Sequence, residues 1–424
     1  MNDALTRSQL VRWRTATFAI FLASGLSIAT WASRVPAIKS GLEIDNIAVG
    51  LLLLGAGIAS IVGLSVAPMV MARAGARRGM LAALVIVGIG VATIGIGTDL
   101  LSSYPVVLLG LALFGFGNGA VDVMMNVEGA AIEKSSGRTL LPLFHAFFSF
   151  GTVIGAGLGV VAAALGITVL AHTGLMGGVI VLIALVSVAG VPARESAEAA
   201  AAPAGRPPFR ERLTVAVSAW REPRTYALGV IMLGMAFAEG GANDWLPLAV
   251  VEDHGADEAF GAAALTVFSV AMAVVRVLGG PLVDRVGRVA VLRTLAFTAA
   301  AGLLLFIFAP NLPLVFVGAA LWGAGASLGF PLGMSAAADD PAKAPARVSA
   351  AATIGYVAFL CGPPILGFIS ENVGLLNTLL VIVVLIVLSG LFSSAARPLA
   401  VASADADAAP AAAADPPRSP ASER

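Results

Sequence analysis

Gly280-Pro-Leu-Val-Asp284-Arg285-Val-Gly287-Arg288 separates two long apolar runs, and a degenerate copy of it, Pro68-Met-Val-Met-Ala-Arg-Ala-Gly75-Ala-Arg77-Arg78, stands 212 residues earlier. A second echo sets Leu113-Phe-Gly115-Phe-Gly117 against Leu321-Trp-Gly323-Ala-Gly325, offset by 208 residues. Both offsets are close to half of the 424-residue chain, so one unit has been used twice. Each basic loop is a short polar break between stretches that are otherwise almost wholly apolar.

Composition fixes the solvent in which those stretches fold. Apolar residues make up 58% of the chain and charged residues 12%, about half the charged share of a soluble domain. Too few polar residues remain to cover a water-facing surface, and lipid is the consistent environment. The 48 glycines suit helices whose backbones approach closely in a bilayer. A formal net charge of zero gives no reason to expect nucleic acid as a partner. Cys361 is the single cysteine, which excludes an intrachain disulfide. Arg7, Arg12 and Arg14 precede the apolar run Thr15–Ser33, which is long enough to span and reads as a retained first helix.

A crossing needs roughly 17–25 mostly apolar residues. Twelve such spans are predicted near 14–36, 46–71, 79–97, 105–132, 140–165, 172–191, 224–250, 259–282, 290–309, 313–336, 347–370 and 374–395. With that count, 22 of the 25 Lys and Arg residues fall on one side. Arg34 and Lys39 fall on the other, and Arg276 alone lies inside a span. The basic side is expected to be cytoplasmic and to carry both termini of a multi-pass protein of the cytoplasmic (inner) membrane. The predicted organisation is a six-helix bundle over 1–191, a cytoplasmic linker over 192–223, a second six-helix bundle over 224–395 and a disordered tail over 396–424. Within the linker, Phe209, Leu213, Val217 and Trp220 recur at helical spacing, either as a helix on the membrane face or as a plain connector.

The loop Gly280–Arg288 resembles the G-x-L-x-D-R-x-G-R signature of the major facilitator superfamily and falls where that family carries its second copy. The earlier copy departs from it, with Ala72 for the acid and Pro68 for the leading glycine. The resemblance covers nearly the whole chain. It implies an all-α membrane fold of two pseudo-symmetric six-helix bundles around a central cavity that opens alternately to each side. A narrower resemblance is to the fucose-permease-like branch and its bacterial relatives. It rests on Gly117-Asn-Gly-Ala-Val-Asp122-Val-Met-Met-Asn126, Leu143-Phe-His145-Ala-Phe-Phe-Ser-Phe-Gly151 and Glu239-Gly-Gly-Ala-Asn-Asp244-Trp245. In sugar–proton symporters of that branch acids of the first and fourth helices are functional. The fourth-helix acid maps onto Asp122, whereas the first helix here holds no acid and ends in Ser33-Arg34.

Ionisable groups inside a span are expensive and mark functional candidates. Asn118, Asp122 and Asn126 recur every four residues and form one polar stripe. Facing a cavity, the stripe carries a proton on Asp122 and bonds a solute through its amides; facing inward, it is a network that locks helices together. Glu239, with Asn243 one turn on and Asp244 and Trp245 beside it, suits a sugar or an amphipathic amine; the rival is again a helix–helix network. His145 is either a proton relay or a packing residue. Glu128 reads as structural, and His172 and His254 as outer-loop residues without metal partners. Arg34 either snorkels at the outer surface or pairs with Asp244 as an outer gate. Arg276 reads as a brace for the Asp284 loop, and the family resemblance implies that Gly280, Asp284, Arg285, Gly287 and Arg288 hold the halves in one access state. Gly325-Ala-Ser327-Leu-Gly329 matches a nucleophile elbow by chance, inside a membrane helix. No H-E-x-x-H, phosphate-binding loop or Cys/His cluster is present, so no enzyme activity, metal or cofactor is expected.

These readings converge on a secondary transporter, a monomer that couples a small polar solute to protons by symport. The alternatives are a proton-driven exporter of amphipathic compounds, toward which Gly151-x-x-x-Gly155 points faintly, and a receptor or scaffold that moves nothing.

Overall fold

The computed structural model describes residues 6–136, 140–192, 218–340 and 343–399. The Glu195–Pro208 stretch, the Phe209–Val217 periodicity and the tail beyond 399 lie outside them. Helices α1 (Arg7–Ala32), α2 (Val35–Leu42), α3 (Asn46–Gly95), α4 (Tyr104–Ser136), α5 (Leu141–Ala164) and α6 (Val169–Val188) build the first half. The second half contains α7 (Pro223–Glu252), α8 (Glu258–Val286), α9 (Arg288–Phe308), α10 (Leu312–Ala326), α11 (Gly329–Ala337), α12 (Ala344–Val373), α13 (Leu375–Thr378) and α14 (Leu380–Phe392). Starts are marked by side chains that take up free backbone N–H groups: Thr6 opens α1 with a capping box, and Asp45, Thr168 and Asn311 cap α3, α6 and α10.

Among the described residues eleven helices are long and apolar enough to cross a membrane. One carries two crossings. At 50 residues α3 would run roughly 75 Å if straight, more than twice the apolar thickness of a bilayer. It folds back at Gly75, whose φ of 77° and ψ of 158° are non-helical. Twelve crossings result, and the turn falls inside the basic break at 72–78.

The duplication is written in the backbone as well. Glu43 and Gly255, Gly75 and Gly287, and Gly166 and Gly374 all have positive φ, and they pair off at offsets of 212, 212 and 208 residues. The close helix contacts repeat in the same register. A Cβ on Gly115 would strike the Ala56 carbonyl, and one on Gly323 the carbonyl of Phe268. Gly117 meets Ala83 and Val87, and Gly325 meets Leu295 and Ala299. Lipid supplies no hydrophobic force between helices, so this backbone-to-backbone fit is what holds each half together. Gly151 and Gly155 likewise seat α5 on Leu22 and Leu26 of α1.

The tenth crossing departs from the single span expected over 313–336. It breaks at Ser327–Leu328, between α10 and α11. Pro331 is the cause: it lacks the N–H that would reach the Ser327 carbonyl four residues back, and its ring crowds that carbonyl. Ser327 therefore sits at a helix break and not within a continuous helix, but its hydroxyl donates to the Ala324 carbonyl, as a packing serine does.

The two halves meet most tightly at the end away from the basic loops. There Arg34 pairs with Glu258 at 2.9 Å, Lys39 pairs with Glu252, and the Asn46 N–H donates to Glu371 at 2.6 Å. Gly50 touches the Pro363 carbonyl, and Gly57 lies against Phe359. Past Gly57, Gly63 of α3 lies on Phe116 of α4, while Thr353 and Tyr356 on α12 are exposed. Toward the basic end the halves diverge, and the ion pairs there, Arg224–Asp339, Arg288–Asp339 and Arg347–Glu222, stay within the second half. The molecule is a cleft closed at one end and open at the basic end.

Candidate functional site

Midway along the cleft, Arg276 on α8 joins four elements. Two of its N–H groups reach the Glu239 carboxylate on α7 at 2.8 and 3.0 Å. Its Nε donates to the Ser327 carbonyl that Pro331 leaves free, at 3.1 Å, and Nη1 donates to Ser149 Oγ on α5 at 3.2 Å. The last bond crosses from the second half to the first. His145, one turn before Ser149, is exposed to the cleft, packs edge-on against Phe21 at 5.3 Å and lies within electrostatic range of both Arg276 and Glu239. The reading of Arg276 as a brace for the Asp284 loop is therefore corrected: it is the hub of the central site.

The polar stripe of α4 is only partly free. Ser24 of α1 donates to Asn118 Oδ1 at 2.7 Å, and Asn126 turns its amide back on the Asp122 carbonyl and carboxylate at 2.8 and 3.3 Å. Asp122 itself is partly exposed and has no cation within bonding distance among the described residues. Across the cleft it lies within electrostatic range of Tyr356 on α12. Helical rotation separates the Glu239 neighbours. Asn243 and Asp244 are partly exposed, whereas Trp245 is fully buried against Gly367 of α12. Trp245 is therefore a packing residue and not a solute contact.

The gate at the closed end also differs from expectation. Arg34 is 3% exposed, which rules out snorkelling, and its partner is Glu258 in place of Asp244. It also donates to the Ile167 carbonyl at 2.9 Å. The two basic residues at this end, Arg34 and Lys39, thus both clasp acids of the other half. His172 lies in the first turn of α6, buried, and not in a loop; His254 sits beyond the end of α7 and packs edge-on against Phe306. Glu128 accepts from the indole N–H of buried Trp13 at 2.7 Å, as a structural acid would. At the open end Gly287 makes the positive-φ turn between α8 and α9, and Gly280 has no neighbour a Cβ would meet. Arg288 bonds Asp339, while Asp284 and Arg285 are exposed and without ion-pair partners among the described residues. Ser149, Ser24, Tyr356 and Glu258 were not singled out in the sequence.

Comparison with known proteins matches this architecture. The Major Facilitator Superfamily profile matches residues 16–264 and 245–421. An uncharacterized transporter of Sinorhizobium fredii, y4wD, is 29% identical over 376 residues, covering 86% of this chain and 93% of that protein. A crystal structure of the E. coli fucose:proton symporter FucP superposes with a TM-score of 0.61 at 19% identity, covering 92% of this chain and 99% of that one. The crystal structure of the nucleoside transporter NupG superposes with a TM-score of 0.66 at 14% identity, covering 94% of this chain and all of the other. A profile match over almost the whole length, on a duplicated twelve-crossing frame with a central cleft, settles the family: the chain belongs to the major facilitator superfamily of membrane transporters.

Proposed function

We propose that this chain is a secondary active transporter that moves a small neutral or cationic polar solute by alternating access, coupled to protons by symport. The basic end is read as cytoplasmic. The observation that carries the proposal is the Arg276 hub, in which one guanidinium holds the carboxylate of Glu239 and the hydroxyl of Ser149 in the other half. A proton arriving on Glu239 removes the charge that makes the two-pronged bond strong. Arg276 then lets go of α7 while keeping its bond to Ser149 in the other half, and α8 is free to rock about that contact. Asp122 offers a second carboxylate in the same cleft, with Tyr356 opposite. The acids Asp122 and Glu239 outnumber the single arginine, a balance that favours a hydroxylated or amine-bearing solute over an anion. The likeness in fold to a fucose:proton symporter agrees with this reading.

The test is uptake into proteoliposomes under an imposed pH gradient, screened across sugars, nucleosides, amines and organic acids. Proton-driven accumulation of a neutral or cationic solute is expected, with both D122N and E239Q reaching the membrane but failing to accumulate it. Full accumulation by both variants would reject the coupling assignment. Efflux from loaded vesicles driven by the opposite gradient would replace symport with export.

A further inference from the structure

A separate cavity of about 190 Å³ opens at the basic end, outside the cleft. Its walls are Gln9 and Arg12 of α1, Arg77 from the Gly75 turn, and the Ala189–Pro192 segment that leaves α6. It is smaller than a pocket for a whole solute and suits a single head group. Among the described residues no carboxylate lines it. Neither guanidinium has a hydrogen bond or ion pair among the described residues. Gln9 engages Thr6 through its carbonyl oxygen, which leaves its NH2 as a third donor. The floor is fixed, because the backbone of Gly190 lies directly against the Arg12 carbonyl. Directly away from the basic end, α6 turns Leu182, Leu185 and Val186 outward, 60%, 53% and 68% exposed, on one helical face.

Two guanidiniums without partners among the described residues, at the basic end of an outward-facing apolar strip, point to one chemistry. We propose that this cavity binds the phosphate of an anionic phospholipid, with Arg12 and Arg77 gripping the phosphate oxygens and the acyl chains lying along Leu182, Leu185 and Val186. The bound lipid ties α1, the Gly75 turn and the end of α6 together and so braces the first half at its open end.

The experiment titrates phosphatidylglycerol into the purified full-length protein in detergent and reads bound lipid by native mass spectrometry and melting temperature. Phosphatidylcholine, inorganic phosphate and glycerol 3-phosphate are run in parallel. Phosphatidylglycerol alone is expected to bind and stabilise. Each arginine near an anionic head group contributes roughly fivefold in affinity, so R12Q/R77Q should bind roughly 30-fold more weakly. R12Q alone, at an exposed side chain that folding does not need, should lose roughly fivefold. R73Q/R78Q removes the same charge from the same end outside the cavity and should bind as the unaltered protein does. Equal binding by R12Q/R77Q, or an equal loss in R73Q/R78Q, would overturn the proposal. Stabilisation by inorganic phosphate as strong as that by the lipid would also overturn it, in favour of a site for a free anion.

Discussion

Replacing Glu258 by Gln removes one charge from the closed end of the cleft and little else. The side chain keeps its shape, and the Arg34–Glu258 pair at 2.9 Å becomes at best a neutral contact. Arg34 is almost wholly enclosed and Glu258 is 27% exposed, so the pair is shielded enough to matter. An ion pair with one partner enclosed and the other partly exposed falls between the surface and buried limits, at about 2 kcal/mol. Because Arg34 and Glu258 belong to opposite halves, that energy exists only while this end is shut. Its loss should shift the ratio of open to closed molecules by roughly 30-fold. The assay is pulsed electron spin resonance between labels at S40C and N372C, both exposed near this end on opposite halves, with Cys361→Ser removing the native thiol. E258Q should add a longer-distance population, and R34Q should do the same. D257N is the control, since Asp257 neighbours the latch but caps α8 without a side-chain hydrogen bond. An unchanged distance distribution in E258Q and R34Q would refute the latch.

Glu43 closes α2 in the left-handed conformation with φ 53°, where glycine carries no strain, so E43G should raise stability by roughly 0.5–1 kcal/mol in thermal unfolding. G323V places a side chain against the Phe268 backbone, which cannot swing aside, and should lower the yield of monodisperse protein by size exclusion far more than the same change at Gly157, which faces open space. Glu222, just before α7, is held below its ordinary carboxyl value of 4.5, first by its hydrogen bond to Arg347 and then by Lys343. Its contribution is therefore complete above pH 4.5 and lost as pH falls through the lower folded-state value; E222Q should flatten the acid limb of a stability–pH profile, and an unaltered limb would count against the pairing.

Much of the frame could be read from residue pattern because it is repeated. The 212- and 208-residue offsets of the sequence reappear in positive-φ residues and in glycine contacts, and a lipid-embedded helix has few other ways to pack. The site was harder for three physical reasons. Arg276 was placed by its backbone, one turn from Gly280, but helical side chains tilt toward the helix N-terminus, which for α8 is the closed end. Its long side chain therefore delivers the guanidinium deeper, to Glu239. Trp245 was grouped with Asp244 because they are adjacent, yet neighbours on a helix point about 100° apart. Arg34 finds Glu258 and not Asp244 because α8 begins at Glu258, one residue before the apolar pattern of its span. The break at Ser327 did have a signal, Pro331 four residues on, and with it an orphan carbonyl in need of a donor.

One helix links these levels. From Glu258 to Arg276, α8 rises roughly 27 Å, and from Arg276 to Asp284 a further ~12 Å. A tilt of about 10° about the Arg276 hub would carry Glu258 by roughly 5 Å and Asp284 by only ~2 Å. The first displacement is larger than the Arg34–Glu258 separation, so a modest rocking breaks the latch outright. The second is small, and the Asp284 loop needs only to find partners on the half it now leaves. On this geometry Ser149 sits at the fulcrum, where its bond to Arg276 survives the motion. S149A should therefore weaken both states alike: it should lower the melting temperature while leaving the spin-label distances of the closed end as they were. A shift in those distances as large as that from E258Q would move the fulcrum away from Arg276 and refute this account of the rocking.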